Sequence, residues 1–314
     1  MTSDTAYGTP HGAPIDYDWL RLYQRSPAAP AGPRLRLRPG VARVLRALGL
    51  ITAVAAPAVH AAEPASARGD GSQAVVELRQ YTLHPGRRDT LIEIFEQNFI
   101  ESQEQAGMRV LGQFHDLDNP DRFVWLRGFA GMPQRKTALE TFYGGPVWKA
   151  GREAANATMI DSDNVLLLRP AWPHTGFDLH GLQRPAAAAA ADAAPAGLVA
   201  ATIYYLKEPA TPALLKFLRT WLEPQLAADG VRVLASFVSE AAENTFPALP
   251  VRLGEPVLVI FTAHAGADAL AAVLNQREAS ADWREIAQRL QPYLRREAEL
   301  LRLAPTRRSL LRGG

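Results

Sequence analysis

The order strand, helix, strand, strand, helix, strand runs through this chain twice, and few folds are open to a chain built that way. In the first copy, Val75 to Leu83 alternates, is rich in β-branched residues, and ends at His84-Pro85-Gly86, so it reads as a strand and turn. Residues 89–106 carry Leu91, Phe95 and Phe99 at helical spacing and stop at Gly107. Residues 108–115 and 122–129 read as strands around a turn at 116–121. Residues 133–143 and 146–158 read as helices broken at Gly144-Gly145. A fourth strand follows at 164–169, with Asp161, Asp163 and Asn164 as the turn before it. The order returns with strands at 200–206, 231–238 and 256–264 and helical patterns at 212–228, 267–275 and 281–301. Local matches agree in register. Ala106-Gly107-Met108-Arg109-Val110-Leu111 aligns with Asp229-Gly230-Val231-Arg232-Val233-Leu234, and Tyr81-Thr82-Leu83 with Tyr204-Tyr205-Leu206. Ala130-Gly131 aligns with Ala265-Gly266, and Val147-Trp148-Lys149 with Asp282-Trp283-Arg284.

A βαββαβ unit makes an antiparallel sheet with both helices on one face, the ferredoxin-like arrangement, and its other face needs cover. Two tandem units can cover each other. The expected fold is therefore α+β: two tandem ferredoxin-like (βαββαβ) dimeric-α/β-barrel domains, 74–172 and 198–305, packed as an intrachain pseudo-dimer. An alanine-rich linker, 173–197, joins them, and 306–314 is a tail.

A length of 314 residues suits about two domains, and 47 % apolar with 21 % charged residues is a soluble globular composition. The absence of cysteine excludes thiolate nucleophiles, zinc-thiolate sites and disulfides. The formal charge of +2 hides a division: residues 1–61 hold seven arginines and three aspartates, which leaves the remainder at −2. No basic surplus remains for phosphates, so no nucleic-acid partner is expected.

Residues 1–40 read as a disordered or mis-annotated extension, with Val41 as an alternative start. Residues 41–61 combine an arginine-bearing stretch, an apolar run of about 13 residues and a Val-x-Ala site, the pattern of a signal peptide. Residues 62–73 are flexible in composition. Periplasmic or secreted localisation follows, without a stable membrane span; a disordered arm or weak membrane anchor is the alternative.

Strand alternation sorts residues by face. Glu77, Arg79 and Tyr81 share one side of the first strand; Phe123, Trp125, Arg127 and Phe129 share one side of the third, which should lie beside it. With the aliphatic faces given to the helices, Glu77, Arg79, Tyr81, Trp125 and Arg127 would enter the barrel interior, with either Gln113 and His115 or Phe114 from the second strand. Such a face suits a pocket for a small amphipathic or anionic ligand. It suits better still a Glu77–Arg79–Arg127 ion-pair network that fixes the docking of the halves, since structural ion pairs cluster in this way. Tyr143 and Trp148 flank the helix break at 144–146 and complete the candidate pocket: Glu77, Arg79, Tyr81, His115, Trp125, Arg127, Tyr143 and Trp148. Trp221 and Trp283 lie on helical apolar patterns and are expected in the core. No cofactor and no metal is expected, because zinc-binding histidine spacings, Gly-x-Gly-x-x-Gly and Walker-type loops are missing from the sequence. In the second copy Ala200, Thr202, Ile260 and Thr262 replace the polar face, so the first copy should carry any site and the second should cover it.

Over residues 75–171 the sequence resembles the NIPSNAP family of dimeric-α/β-barrel domains. The resemblance rests on Glu77-Leu78-Arg79-Gln80-Tyr81-Thr82-Leu83-His84-Pro85-Gly86, Phe123-Val124-Trp125-Leu126-Arg127-Gly128-Phe129, Arg135 opening a helix, and Phe142-Tyr143-Gly144-Gly145-Pro146-Val147-Trp148. It is fainter over 198–304. It implies the ferredoxin-like fold and paired packing, and no agreed catalytic residues. The leading expectation is an exported binding module for a small ligand or a protein partner, with a homodimer left open. The alternative is a cofactor-independent monooxygenase or isomerase-like enzyme in which His115 or Tyr81 handles protons.

Overall fold

The computed structural model describes residues 73–187 and 197–313. The leader readings on 1–72 and the alanine run of 188–196 lie outside the described residues. Eight strands form one closed antiparallel barrel: β1 (Val75–Leu83), β2 (Arg109–Asp116), β3 (Arg122–Phe129), β4 (Met159–Pro170), β5 (Leu198–Tyr205), β6 (Arg232–Ser239), β7 (Val257–His264) and β8 (Glu299–Pro305). Around the ring they run β1-β3-β2-β8-β5-β7-β6-β4, so each half supplies four consecutive staves. Within the halves β1–β3 and β5–β7 each match eight residue pairs, whereas the two seams between halves, β2–β8 and β4–β6, match three each.

Helices cover the outer face. In the first half these are α1 (Arg88–Ile94) and α2 (Ile100–Gln105), joined by a π-turn at Phe95–Phe99, then α3 (Met132–Gly144) and α4 (Pro146–Asn156). In the second half α5 (Pro212–Phe217) and α6 (Glu223–Ala228) flank a π-turn at Leu218–Leu222, followed by α7 (Ala267–Ala279) and α8 (Ala281–Leu290). A π-turn inserts a residue into the helical ladder and often marks a functional site.

The barrel is filled with side chains. Val76, Leu78, Val124, Leu126, Leu166 and Leu168 meet Val199, Ala201, Ile203, Val259, Phe261 and Leu303 from the other half. This overturns the expected face assignment. Glu77, Arg79, Tyr81, Trp125 and Arg127 lie under the helices, and the aliphatic faces line the barrel. The reason is that the interior is shared. The second half offers almost only carbon there, and charges facing carbon would stay unpaired. Beneath their own helices the same charges find partners.

The ends of the barrel are closed by segments outside the two sets of four strands and their helices. Phe177 packs on Phe237 and Phe261 with ring centres 5.2 and 5.1 Å apart. Residues read as a tail continue past β8 along β2: the Thr306 amide donates to the Gln113 carbonyl and the Leu311 amide to the Leu111 carbonyl, at 2.8 and 2.9 Å.

Three further expectations are corrected. The helical pattern at 281–301 ends at Leu290, and Glu299–Pro305 is the strand that closes the ring. Asp161, Asp163 and Asn164 lie within β4 beside a β-bulge rather than in a turn before it. Trp221 is exposed, with the Arg289 guanidinium 4.3 Å from its ring centre.

Candidate functional site

The floor of the site is the outer face of β1 and β3. Their register sets Glu77 opposite Arg127, Arg79 opposite Trp125 and Tyr81 opposite Phe123, and the pleat turns all six toward the helices. The Glu77 carboxylate is the hub. Its Oε2 accepts from Arg79 Nη1 and from Arg127 Nε, both at 2.7 Å, and its Oε1 accepts from Arg135 Nε at 2.7 Å. All four side chains are fully buried. Burial alone would raise the Glu77 pKa; Arg127, Arg135 and Arg79 together outweigh it and hold the carboxyl well below the usual carboxylate range.

Arg135 descends from α3, on the stripe Arg135, Ala138, Leu139, Phe142 and Tyr143. Its Nη1 also donates to Asn244 Oδ1 at 2.9 Å and Thr245 Oγ1 at 3.3 Å, both on the β6–β7 loop of the second half. Phe246 of that loop stacks on Tyr143 with 5.8 Å between ring centres. The cluster therefore ties the halves together as well as shaping the space above it.

Above the floor lies a cavity of about 40 Å³, room for two or three water molecules. Tyr81, Trp125, Tyr143 and Trp148 line it, with Phe95 and Phe99 from the π-turn and Gln103 from α2. Edge-on aromatic contacts knit the wall: Phe95 to Trp125 at 4.8 Å and Tyr143 to Trp148 at 4.9 Å between ring centres. The arginines back this wall. Arg79 Nε donates to the Tyr81 hydroxyl at 2.9 Å, and Arg127 Nη1 donates to Gln103 Oε1 at 3.1 Å and the Tyr143 hydroxyl at 3.5 Å. The Trp125 indole lies between both guanidiniums, 5.6 Å from Arg79 and 5.0 Å from Arg127. Burial raises the Tyr81 pKa against the pull of Arg79, so the phenol keeps its proton.

Seven of the eight residues singled out in the sequence converge here: Glu77, Arg79, Tyr81, Trp125, Arg127, Tyr143 and Trp148. His115 does not join them. It sits at the end of β2, half-buried, with Nε2 3.4 Å from Asp89 Oδ1. Burial and Arg88 lower its pKa, and Asp89 opposes them only in part. Sequence reasoning missed Gln103 and the roles of Arg135, Asn244 and Thr245. A charge on an otherwise apolar helical stripe was the available signal for Arg135; nothing local points to the loop residues. Among the described residues no group of three or more His, Asp or Glu could hold a metal ion. Nor, among them, is any helix long and apolar enough to cross a membrane.

Residues 76–172 match the family model of NIPSNAP. That match lies within the first half. The floor and wall of the cavity belong to it, and the Asn244–Phe246 segment of the second half lies across them. Among solved structures, the chain is similar to a NIPSNAP domain protein from Burkholderia xenovorans, with 18 % identity, 31 % of this chain and 94 % of that chain covered, and a TM-score of 0.29. It is similar to a NIPSNAP family protein from Agrobacterium tumefaciens, with 18 % identity, 31 % and 92 % covered, and a TM-score of 0.29. An anthrone oxidase-like protein shares 13 % identity over 74 % of this chain and 91 % of its own, with a TM-score of 0.47. A search of curated proteins gives no match.

Proposed function

We propose that the NIPSNAP domain is an exported small-ligand-binding module whose pocket lies between its sheet and its helices, with the second half as cover. One observation carries the reading: an aromatic-lined cavity stands on a buried cluster of three arginines around one carboxylate, which the corresponding strand face of the second half lacks. The second half suits the covering role. Its register sets Ala200 opposite Thr262 and Thr202 opposite Ile260, where the first half has Glu77 opposite Arg127 and Arg79 opposite Trp125. That repetition also supports reading the chain as a tandem duplication in which one copy lost its charges.

The enzyme alternative has less behind it. The Tyr81 oxygen already accepts from Arg79 and its pKa is raised, which makes it a poor base, and His115 stands apart from the cavity. The test is a panel of quinols and aromatic acids, read by thermal shift and by the fluorescence of Trp125 and Trp148. A saturable shift without turnover, lost in Arg127→Ala, is the expected result. Turnover of any compound would move the reading to an enzyme; no shift with any compound, together with a partner recovered by pulldown, would move it to a protein-interaction module.

A further inference from the structure

The polar groups that line the cavity share one hydrogen-bonding sense. The oxygens of Tyr81 and Tyr143 each already accept from arginine, and the proton of each hydroxyl is left to donate. Gln103 Oε1 is engaged by Arg127, which leaves the amide nitrogen as the free end. The indole nitrogens of Trp125 and Trp148 are buried without an acceptor among the described residues. Five groups thus stand as donors around a space of about 40 Å³, and each oxygen among them already accepts from an arginine.

The charge beneath them points the same way. Three guanidiniums share one carboxylate, which leaves two positive charges in full burial. The outer Nη2 atoms of Arg79, Arg127 and Arg135 have no partner among the described residues. Uncompensated charge and orphaned donors in a protein interior are costly. Water can satisfy some donors but cannot supply negative charge.

We infer that the ligand is an organic anion with a delocalised oxygen head, a carboxylate being the simplest. Its oxygens would accept from the donor wall and its carbon end would rest against Leu91, Phe95 and Met159. The inference rests on the pocket reading proposed above and narrows it to one chemical class. By volume, an acid of three or four heavy atoms fits the space as it stands. A larger acid requires the Phe95–Phe99 π-turn to shift, since both phenylalanines line the cavity.

The discriminating experiment uses isosteric pairs at fixed ionic strength: acetate against acetamide and benzoate against benzamide, with benzene as an uncharged filler. Binding is read by thermal shift and tryptophan fluorescence on the full chain. Each anion should bind at least about tenfold more tightly than its amide, the difference expected when one partner in a buried hydrogen bond is charged. Tyr81→Phe keeps the ring and removes one donor, and Trp148→Phe removes the indole donor and enlarges the space; both should weaken the anion severalfold, and Tyr81→Phe should leave benzene unaffected. Amides that bind as well as the acids, or donor deletions without effect on the anion, would overturn the anion inference and leave the pocket standing. Failure of acids, amides and benzene alike would remove the pocket itself.

Discussion

At the scale of the residue, Glu77 is the position on which most depends. It is fully buried and is the one carboxylate in ion-pair contact with Arg79, Arg127 and Arg135 among the described residues. Removing one partner of a buried ion pair typically costs about 3–5 kcal/mol, because the other charge stays buried. Glu77→Gln leaves three such charges, so urea unfolding should show a loss of at least ~3 kcal/mol at neutral pH. The pH dependence has a definite sign. The folded pKa of Glu77 lies below its unfolded value, so its contribution is complete above about pH 4.3 and declines as pH falls toward the folded value. The stability gap between wild type and Glu77→Gln should therefore narrow below about pH 4 and stay constant between pH 6 and 8. A gap that widens in acid would contradict this account of the cluster. Much of the cluster was legible in the sequence, since alternation alone grouped Glu77 with Arg79, and Trp125 with Arg127. Which way the group pointed was not. Period-two patterning separates two faces but does not say which one meets helices, and here the composition of the partner half decided it.

At the scale of the element, β2 shows how a barrel interior restricts its residues. Gly112 faces inward beside Phe114, and a β-carbon there would stand 2.4 Å from the Phe114 ring. The glycine is needed for close approach and not for a special backbone angle. Gly112→Ala forces the ring or the strand to move, and overpacking of this kind costs about 1–3 kcal/mol. Thermal unfolding should show that loss, and Phe114→Leu in the same chain should recover part of it by freeing space. Most strands were readable, β3 to the residue, because their β-branched runs are bounded by glycine, proline or aspartate. β8 was not. Glu299–Pro305 follows α8 through Gln291–Tyr293 with leucines whose spacing suits a helix as well as a strand. Only the demand for an eighth stave in the ring assigns it. The π-turns were equally hidden, since a single inserted residue barely disturbs the apolar period of 89–106 or 212–228.

At the scale of the whole molecule, the two halves are unequal partners in one core. The first half brings the charged cluster and the cavity; the second brings the Asn244–Phe246 cover and half of the barrel filling. A fragment of residues 74–172 would expose Val76, Leu78, Val124, Leu126, Leu166 and Leu168 as one continuous apolar face. A patch of that kind drives association. Size-exclusion chromatography with light scattering should find the fragment dimeric or aggregated, and adding residues 198–313 in trans should return a one-to-one complex. A monodisperse monomeric fragment would show that the barrel interior matters less than its packing suggests. The closing of one sheet on another could be read from the order of strands and helices, because a four-stranded sheet with helices on one side must cover the other. What could not be read is that segments outside the two four-stranded halves stop the ends. Phe177 and the 306–311 strip carry no strand or helix signal of their own and take their place only from the ring they close.

Closure of the ring also decides how another chain can be recognised. An open sheet presents a row of free main-chain amides and carbonyls on which a peptide can lie as one more strand. Here the first strand and the last are both paired on each side, so such a template is missing among the described strands. Any protein that docks on this ring must read side chains on its helices or loops, and its specificity will be written in surface residues and not in backbone.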